Sequence, residues 1–584
     1  MPARPSAQPT LHLPFHGHRW LGWKTLAWTG AVAAVLCLMG LRDHTLWDYH
    51  EPYVGGIIRE MAASGHWVVP TLNGQPYLEK PPLFYALGAI GCRLFGTYEP
   101  WVLRLPSALL AMATVVWSAF LGWRLSSARA GAWAAFMVAT NHLFFEVGHM
   151  AVVDMALTAA VSFALGCALL AIVEGPRRQR WVRGYWVSLG FTFLAKGVLG
   201  PALAVLPLAL VFTLRRDRGL ARAFLRPDWG MAAALAMVLG WVVPLALAGG
   251  REYLAEVFLR NTAGRFFADP GLVPRTGRLG EHVEPFYFYL VRTPAGLLPW
   301  AAIWAGGLAA AFPRLGHRPL EPRKTFLPIV FALDLALLTL SQGKRMVYIL
   351  PILPITLVHA AVWLDLQMPK GRARARPWVL RLLGTTVGLV ALLSLGLPWL
   401  VVVQAGLHRG LALLLTLVSA GLSALAVGLL ARRRLARVLD LAMAQWALFL
   451  VFFMAVGVPA LDREWRPILE PFTIVRDLEA KGVRAYQGRL TETQLGYASL
   501  ELQHVLPPVA TPEAARAVLA APEPAALLVE PTLYWKHDLQ PLALPGLEVP
   551  LAAAGMREIW YRTPVLVLNR PAWDLYRGAA RAKA

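Results

Sequence analysis

The chain has 584 residues, 57% of them hydrophobic and only 15% charged, with a formal net charge of +22. A soluble protein of this length needs several cores and a far more charged surface, so the composition excludes one and points to an integral membrane protein. The positive charge is not a nucleic-acid footprint, because the basic residues sit in short clusters between apolar runs, the pattern that orients membrane spans.

Residues 1–23 read as a cytoplasmic N-terminal segment. The first apolar run, about 25–41, follows Arg19 and Lys24. Leu-Arg-Asp after Gly40 is a poor cleavage site, which makes this run an uncleaved first span. Further candidate spans begin near Val102, Ala130, Met155, Gly184, Leu199, Gly230, Ala295, Phe326, Val347, Val379, Leu411 and Leu441, about 13 in all at roughly 20 apolar residues each. With the N-terminus inside, the Arg-rich connections 124–129, 177–183, 215–226, 314–324, 370–376 and 432–437 all fall on the cytoplasmic side. A span at Pro82–Phe95 would put several of them outside. That segment is short, begins Pro-Pro and carries Arg93, so it is expected to lie at the outer interface or to re-enter.

The expected architecture is an all-α polytopic membrane protein: a transmembrane part over 24–461, an outer first loop at 43–101, and a small C-terminal α/β domain at 462–584 outside the membrane. The last is read from β-rich runs (AALLVEP, IWYRTPVLVLNR), proline-rich turns and a helical ATPEAARAVLA. Cys37, Cys92 and Cys167 lie in or beside apolar segments without metal-type or disulfide spacing and are expected to be inert.

The stretch LWDYHEPYVGGIIREMAASGHWVVPTLNGQPYLEKPPLFY, from Leu46 to Tyr85, carries Asp48, His50, Glu51, Glu79 and Lys80 beside a membrane span. Such a density of ionisable groups is costly there unless it serves a function. The topology brings other polar groups to the same outer side. Glu146, His149 and Asp154 lie in EVGHMAVVDMALT, and Lys196 in FLAKGVLGP. Arg260, Arg265 and His282 belong to a long outer loop, and Lys344, Arg345 and Tyr348 to SQGKRMVYILP. Basic residues in short outer connections break the rule that fixes the topology, which suggests an anion. Arg, Lys and Tyr suit a phosphate at headgroup depth, and carboxylates across the same cavity suit proton abstraction from a hydroxyl.

The blocks HEPYVGGIIREMAASGHWVVPTLNGQPYLEKPPLFY, RLPSALLA, VVDMALT, AKGVLGP, PFYFYL with LLPW, and KRMVYILP resemble, in order over about Leu46 to Pro354, the bacterial lipid-linked-sugar glycosyltransferases of the GT-C superfamily. These include the aminoarabinose transferases that modify lipid A and the protein O-mannosyltransferase relatives. The resemblance implies a polyprenyl-phosphate sugar as donor, inverting displacement at the anomeric carbon, and a lipid, glycan or protein acceptor. It also implies a multi-pass bacterial inner-membrane location with the site periplasmic or extracellular. Lys80, Arg265 and Tyr348 match positions that contact the donor phosphate, and Lys196 lies in a matching Lys-Gly block, with Lys344 and Arg345 nearby. Glu79 matches an acidic position that can help hold a divalent cation, with His282 as substitute for an expected histidine near Thr262.

This chain departs from the family at the catalytic acid, where His50-Glu51 replaces Asp-Glu. Glu51, Asp48 or neutral His50 could each be the base, Glu51 being favoured. Asp154 is expected either in the cavity or paired with Arg104, and His149 as an interfacial histidine with possible catalytic or metal duty. Two rival functions compete: a lipid or solute transporter or flippase, which would need charges at mid-membrane depth, and a non-catalytic lipid-phosphate-binding relative. The sugar, the acceptor and the oligomeric state are not legible in the sequence.

Overall fold

The computed structural model describes residues 19–47, 50–267, 283–315, 322–368, 376–404, 409–530 and 563–583. Helices dominate, as they must where the surroundings offer the backbone no water. The first set comprises α1 (Arg19–Leu38), α2 (Glu51–Ser64), α3 (Leu83–Phe95), α4 (Pro100–Leu125), α5 (Ala128–Ala139), α6 (His142–Gly148), α7 (Asp154–Val173), α8 (Arg178–Lys196) and α9 (Leu199–Arg215). There follow α10 (Arg218–Leu225), α11 (Trp229–Leu254), a π-helical stretch Ala255–Gly264, α12 (Arg265–Phe267), α13 (Phe288–Gly296), α14 (Ala301–Leu315) and α15 (Pro322–Leu340). A 3-10 helix, Met346–Ile352, runs into α16 (Leu353–Gln367), and α17 (Pro377–Gln404), α18 (Arg409–Ala431) and α19 (Leu435–Phe452) follow.

Among the described residues seven helical stretches are long and apolar enough to cross a membrane: 100–125, 154–173, 229–264, 346–367, 377–403, 409–431 and 435–463. Five shorter apolar helices accompany them. α7 and α16 lie at the centre, whereas α11 and α18 turn most of their surface outward. Helix starts are set by short polar side chains: Ser127 accepts from the Ala130 N–H at 3.1 Å, and Asn141 and Asp228 cap α6 and α11 likewise. α3 has only 13 residues, too few to span; it buries Phe84, Tyr85, Gly88, Ala89 and Cys92 and exposes Leu87, Ile90 and Leu94 on the other face.

Ion pairs collect where the sequence places the cytoplasmic connections. Asp365 accepts from Ser126, Ser127 and Arg129 at 2.7–2.8 Å, Arg124 pairs with Glu174, and Asp228 accepts from Gln179 and Arg183. At the opposite end the first loop folds on α2. Strands β1 (Thr71–Leu72) and β2 (Gln75–Pro76) form a hairpin across Asn73-Gly74, both at positive φ, as the tightest hairpin turn requires. Glu60 of α2 accepts from Asn73 N at 2.6 Å, Gly74 N at 3.1 Å and Thr71 Oγ1 at 2.7 Å, so the hairpin and the Tyr77–Lys80 segment after it are set against α2.

The C-terminal segment contains α20 (Val458–Trp465), α21 (Glu470–Glu479), β3 (Arg484–Gly488), α22 (Glu492–Leu502), α23 (Pro512–Ala520), β4 (Ala525–Val529), β5 (Val565–Leu568) and α24 (Arg570–Lys583). Its sheet runs β3-β4-β5, parallel then antiparallel, with Tyr486 opposite Leu527 and Leu527 opposite Val567. α22 opens on a capping box of Thr491 and Gln494. It then packs on α2 at backbone distance, since a Cβ at Gly496 would sit 2.2 Å from the Pro52 carbonyl. Arg59 completes the junction, with Nε 3.0 Å and Nη2 2.9 Å from Ser499 Oγ and Nη1 2.9 Å from the Gln503 carbonyl.

Candidate active site

The first loop is anchored by a buried ion pair rather than by an open carboxylate. Glu51, at the start of α2, accepts from Arg104 Nε at 2.8 Å and Nη2 at 2.9 Å, from Ala151 N at 2.8 Å and from Trp47 N at 3.1 Å. Arg104 donates its remaining N–H groups to the carbonyls of Leu41, His44 and Thr45 at 2.7–3.0 Å. Both side chains are fully buried. Burial would raise the Glu51 carboxyl, but the Arg104 charge and its hydrogen bonds outweigh that and hold it below its ordinary value. His44 and His149 flank this pair as buried neutral imidazoles, both pushed down to about 4 chiefly by burial. His149 Nδ1 lies 2.7 Å from the Phe145 carbonyl. Asp462, in the middle of α20, closes the anchor by accepting from Thr45 N, Thr45 Oγ1 and Trp47 Nε1, each at 2.7 Å.

Above this anchor four chain segments bring charges together. Asp154, the first residue of α7, pairs with Lys196, the last residue of α8. The Lys196 ammonium also lies 4.5 Å from the ring centroid of Tyr348. His50 and Arg345 are near enough to act on the Asp154 charge. The Arg345 guanidinium meets the His50 ring, Nη1 against Nε2 and Nη2 3.2 Å from Nδ1. A neutral imidazole has one lone pair. A guanidinium hydrogen bond on the ring therefore takes the lone pair through which His50 would accept a substrate proton.

Beside these lies a cluster of tyrosines. The Tyr53 ring is 5.6 Å from His50 and 5.7 Å from Tyr77. Glu79 and Glu492 act electrostatically on Tyr53, Tyr77 and Tyr85, Asp154 also on Tyr85, and Arg345 on Tyr53. The tyrosines are therefore within electrostatic reach of both the Glu79–Lys80 pair, whose Oε2 and Nζ are 3.6 Å apart, and the group of Asp154, Lys196 and Arg345. Burial, reinforced by these carboxylates, pushes the Tyr53 and Tyr77 phenols well above their ordinary value, so both stay neutral donors. Glu492 comes from the first turn of α22, which brings a charge of the C-terminal segment near the tyrosines.

Of the residues singled out by sequence, Lys80, Glu79, Asp154, Lys196, Arg345, Tyr348 and His50 meet in this region. Asp154 pairs with Lys196 and not with Arg104, whose donors are committed to Glu51 and the first loop. Glu51 has both oxygens occupied by two hydrogen bonds each, which removes the geometry a base needs. Lys344 donates to the Glu284 carbonyl at 3.0 Å, a tie to the backbone of the 283–289 segment. Arg260 pairs with Glu256 at 2.9 Å on its own helix, and Thr262 Oγ1 donates to the Val257 carbonyl at 2.9 Å. Arg265 opens α12, while Asp48 and His282 lie outside the described residues. Among the described residues no group of three or more His, Cys, Asp or Glu side chains is placed to hold a metal, and Glu79 faces Lys80. The sequence reading missed Tyr53, Tyr77 and Tyr85, although all three stand inside the motif it quoted. Glu492 gave no signal, because it lies in a segment assigned to a separate unit.

Residues 79–245 match the family described as dolichyl-phosphate-mannose-protein mannosyltransferase. The undecaprenyl phosphate-alpha-4-amino-4-deoxy-L-arabinose arabinosyl transferase 1 of Pseudomonas fluorescens is 31% identical over 421 residues, covering 67% of this chain and 70% of that protein. The enzyme of the same description from Sodalis glossinidius is 31% identical over 355 residues, a match spanning 57% of this chain and 58% of the relative. In three dimensions the chain superimposes on the crystal structure of ArnT from Cupriavidus metallidurans bound to undecaprenyl phosphate with a TM-score of 0.73 at 22% identity, over 94% of this chain and 98% of that one.

Proposed function

Since the chain belongs to the undecaprenyl phosphate-alpha-4-amino-4-deoxy-L-arabinose arabinosyl transferase family, we propose that it is an integral membrane glycosyltransferase of the bacterial inner membrane, moving a sugar from a polyprenyl-phosphate donor to an acceptor on the outer face. The observation that carries this reading is the meeting of Lys196, Arg345, Tyr348 and Lys80 around Asp154 and the tyrosine cluster, at the end of the molecule opposite the ion pairs of the Arg-rich connections. About 13 crossings, the periplasmic placement of the site and of residues 462–584, and the α/β nature of that segment are parts of the same proposal.

In this reading the donor phosphate is held by Lys80, Lys196 and the Tyr348 hydroxyl, with Arg265 as a further proposed contact. The cations stabilise the charge that grows on the bridging oxygen as the bond from the anomeric carbon to the phosphate breaks. The electron pair leaves with the polyprenyl phosphate, and an acceptor oxygen forms the new bond from the opposite face, inverting the centre. An amino sugar like the one in the relatives' names suits the tyrosine cluster, whose ring faces and neighbouring Glu79 and Glu492 attract a protonated amine.

The acceptor follows from where the bases stand. Glu51 is locked under Arg104, the His50 lone pair faces Arg345, and Asp154 holds Lys196. A phosphate oxyanion, such as that of lipid A, needs no base and is drawn in by Arg345. A hydroxyl acceptor would leave Asp48 as the proposed base. Described residues supply one carboxylate, Glu79, toward the divalent cation expected with His282.

The test is reconstitution in proteoliposomes with undecaprenyl phosphate-aminoarabinose and lipid A, read by mass spectrometry of the acceptor. Donor consumption with a mass gain of one sugar on lipid A phosphate is expected. Transport of the donor without any covalent product, or donor binding without turnover over a panel of phosphate and hydroxyl acceptors, would reject it.

A further inference from the structure

Arg345 is held by its own main chain. It is the extended N-cap of the Met346–Ile352 helix, with no side-chain cap to fix it. Tyr289, fully buried on α13, takes that place: its hydroxyl donates to the Arg345 carbonyl at 3.2 Å and accepts from the Arg345 N–H at 3.3 Å. One phenol thus holds both backbone polar groups of a single residue. Two further ties join the same segments. Val283 forms a backbone bridge to Gly343, and Lys344 Nζ reaches the Glu284 carbonyl. The guanidinium that meets His50 therefore stands on a backbone stitched to 283–289, and Tyr289 is the stitch at Arg345 itself.

We propose that Tyr289 is a positioning residue for transfer, acting through Arg345: it fixes the backbone from which the guanidinium reaches His50 and the incoming acceptor. The inference rests on the proposed glycosyl transfer for its catalytic consequence but not for its structural one. A buried tyrosine that merely filled space would be replaced by phenylalanine at little cost. A tyrosine that holds Arg345 would lose two hydrogen bonds and let the side chain wander.

The test uses the full-length protein in proteoliposomes and three variants, Tyr289→Phe, Arg345→Ala and the double substitution. Tyr289→Phe should lower kcat/KM for the acceptor roughly tenfold, the scale of two lost neutral hydrogen bonds, and leave undecaprenyl phosphate binding within about twofold. The double variant should be no worse than Arg345→Ala alone, because a residue acting through another adds nothing once that other is gone. Carbethoxylation of His50, followed by peptide mass spectrometry, reads the same contact without turnover. It should be slow in the natural protein and several-fold faster in both Tyr289→Phe and Arg345→Ala. Additive losses in the double variant, an unchanged His50 modification rate in Tyr289→Phe, or an equal loss of undecaprenyl phosphate binding would overturn the proposal. A natural protein that transfers nothing rejects the function while the His50 rates still decide the role of Tyr289.

Discussion

Replacing Glu51 separates an anchor from a base. In Glu51→Gln the amide keeps one acceptor oxygen but turns an N–H donor toward Arg104 or toward the Trp47 or Ala151 N–H. The Arg104 guanidinium, fully buried, then lacks its counter-charge. Removing one partner of a buried ion pair costs about 3–5 kcal/mol. The loss falls on the anchor that joins the first loop to α4, to the link between α6 and α7, and through Trp47 and Thr45 to Asp462. We expect Glu51→Gln to unfold several degrees lower in detergent, and to expose the first loop to limited proteolysis. Activity should fall in proportion to the folded fraction. Unfolding at the natural temperature together with a turnover lost by orders of magnitude would refute the anchor and restore Glu51 as the base.

Lys80→Ala should weaken undecaprenyl phosphate binding roughly 10- to 100-fold, the span of a charged hydrogen bond, with little change in thermal stability; isothermal titration in detergent checks both affinity and salt dependence. Native His44 and His149 bind protons only near pH 4, whereas the unfolded residues do so near 6.5. Stability is therefore full above 6.5 and falls toward 4 by up to about 1.4 kcal/mol per pH unit for each histidine. Glu51 adds its own loss only as pH drops through its lowered native value, below 4.5. Unfolding curves from pH 7 to 4 should show this slope, and His149→Gln should flatten it; an unchanged slope rejects the buried neutral imidazole. Gly496→Ala forces a Cβ into the Pro52 carbonyl, so α22 should lift from α2, seen as faster proteolysis after residue 462. Asp334, buried on apolar α15 with neither carboxylate oxygen hydrogen-bonded among the described residues, should tolerate Leu with a rise in unfolding temperature. A fall in transfer on that change would mark a working intramembrane acid.

Hydropathy and arginine clusters made much of the helical framework legible, because apolar length and loop charge act locally along the chain. Expected span starts fall on or beside helices, but among the described residues seven stretches are long and apolar enough to cross, and the start at Ala130 is the 12-residue α5; the short, Arg-bearing Pro82–Phe95 segment is the 13-residue α3. Pairings across the chain were not legible. Nothing local says that Arg104 meets Glu51 and not Asp154, since both carboxylates follow apolar runs at the outer side. The direction of Lys344 is equally hidden: it and Arg345 are neighbours in sequence, yet the extended backbone at Arg345 sends their side chains opposite ways. The role of α22 was masked by treating residues 462–584 as a separate unit, although Gly56 and Gly496 are the small residues that close helix contact demands.

The replacement of the expected acid by His50 becomes intelligible once the charges are counted where they meet. Lys80 stands with Glu79, Lys196 with Asp154, and Arg345 against His50, so among the described residues two of the three cations pair directly with a carboxylate and the third meets an imidazole, with Asp154 acting on it from farther off. An ammonium has three donors and a guanidinium five. In the proposed function Lys196 would thus bind the donor phosphate without releasing Asp154, with no ion pair to break. Arg345 differs. An Asp at position 50 would pair with it directly, whereas His50 brings no negative charge and leaves more of the Arg345 charge for an arriving anion. The same substitution that removes a base therefore adds attraction for an acceptor that needs none. His50→Asp should accordingly weaken a phosphate acceptor, raising its KM several-fold, while undecaprenyl phosphate binding through Lys80 and Lys196 stays put. An unaltered acceptor KM would show that Arg345 does not meet the acceptor.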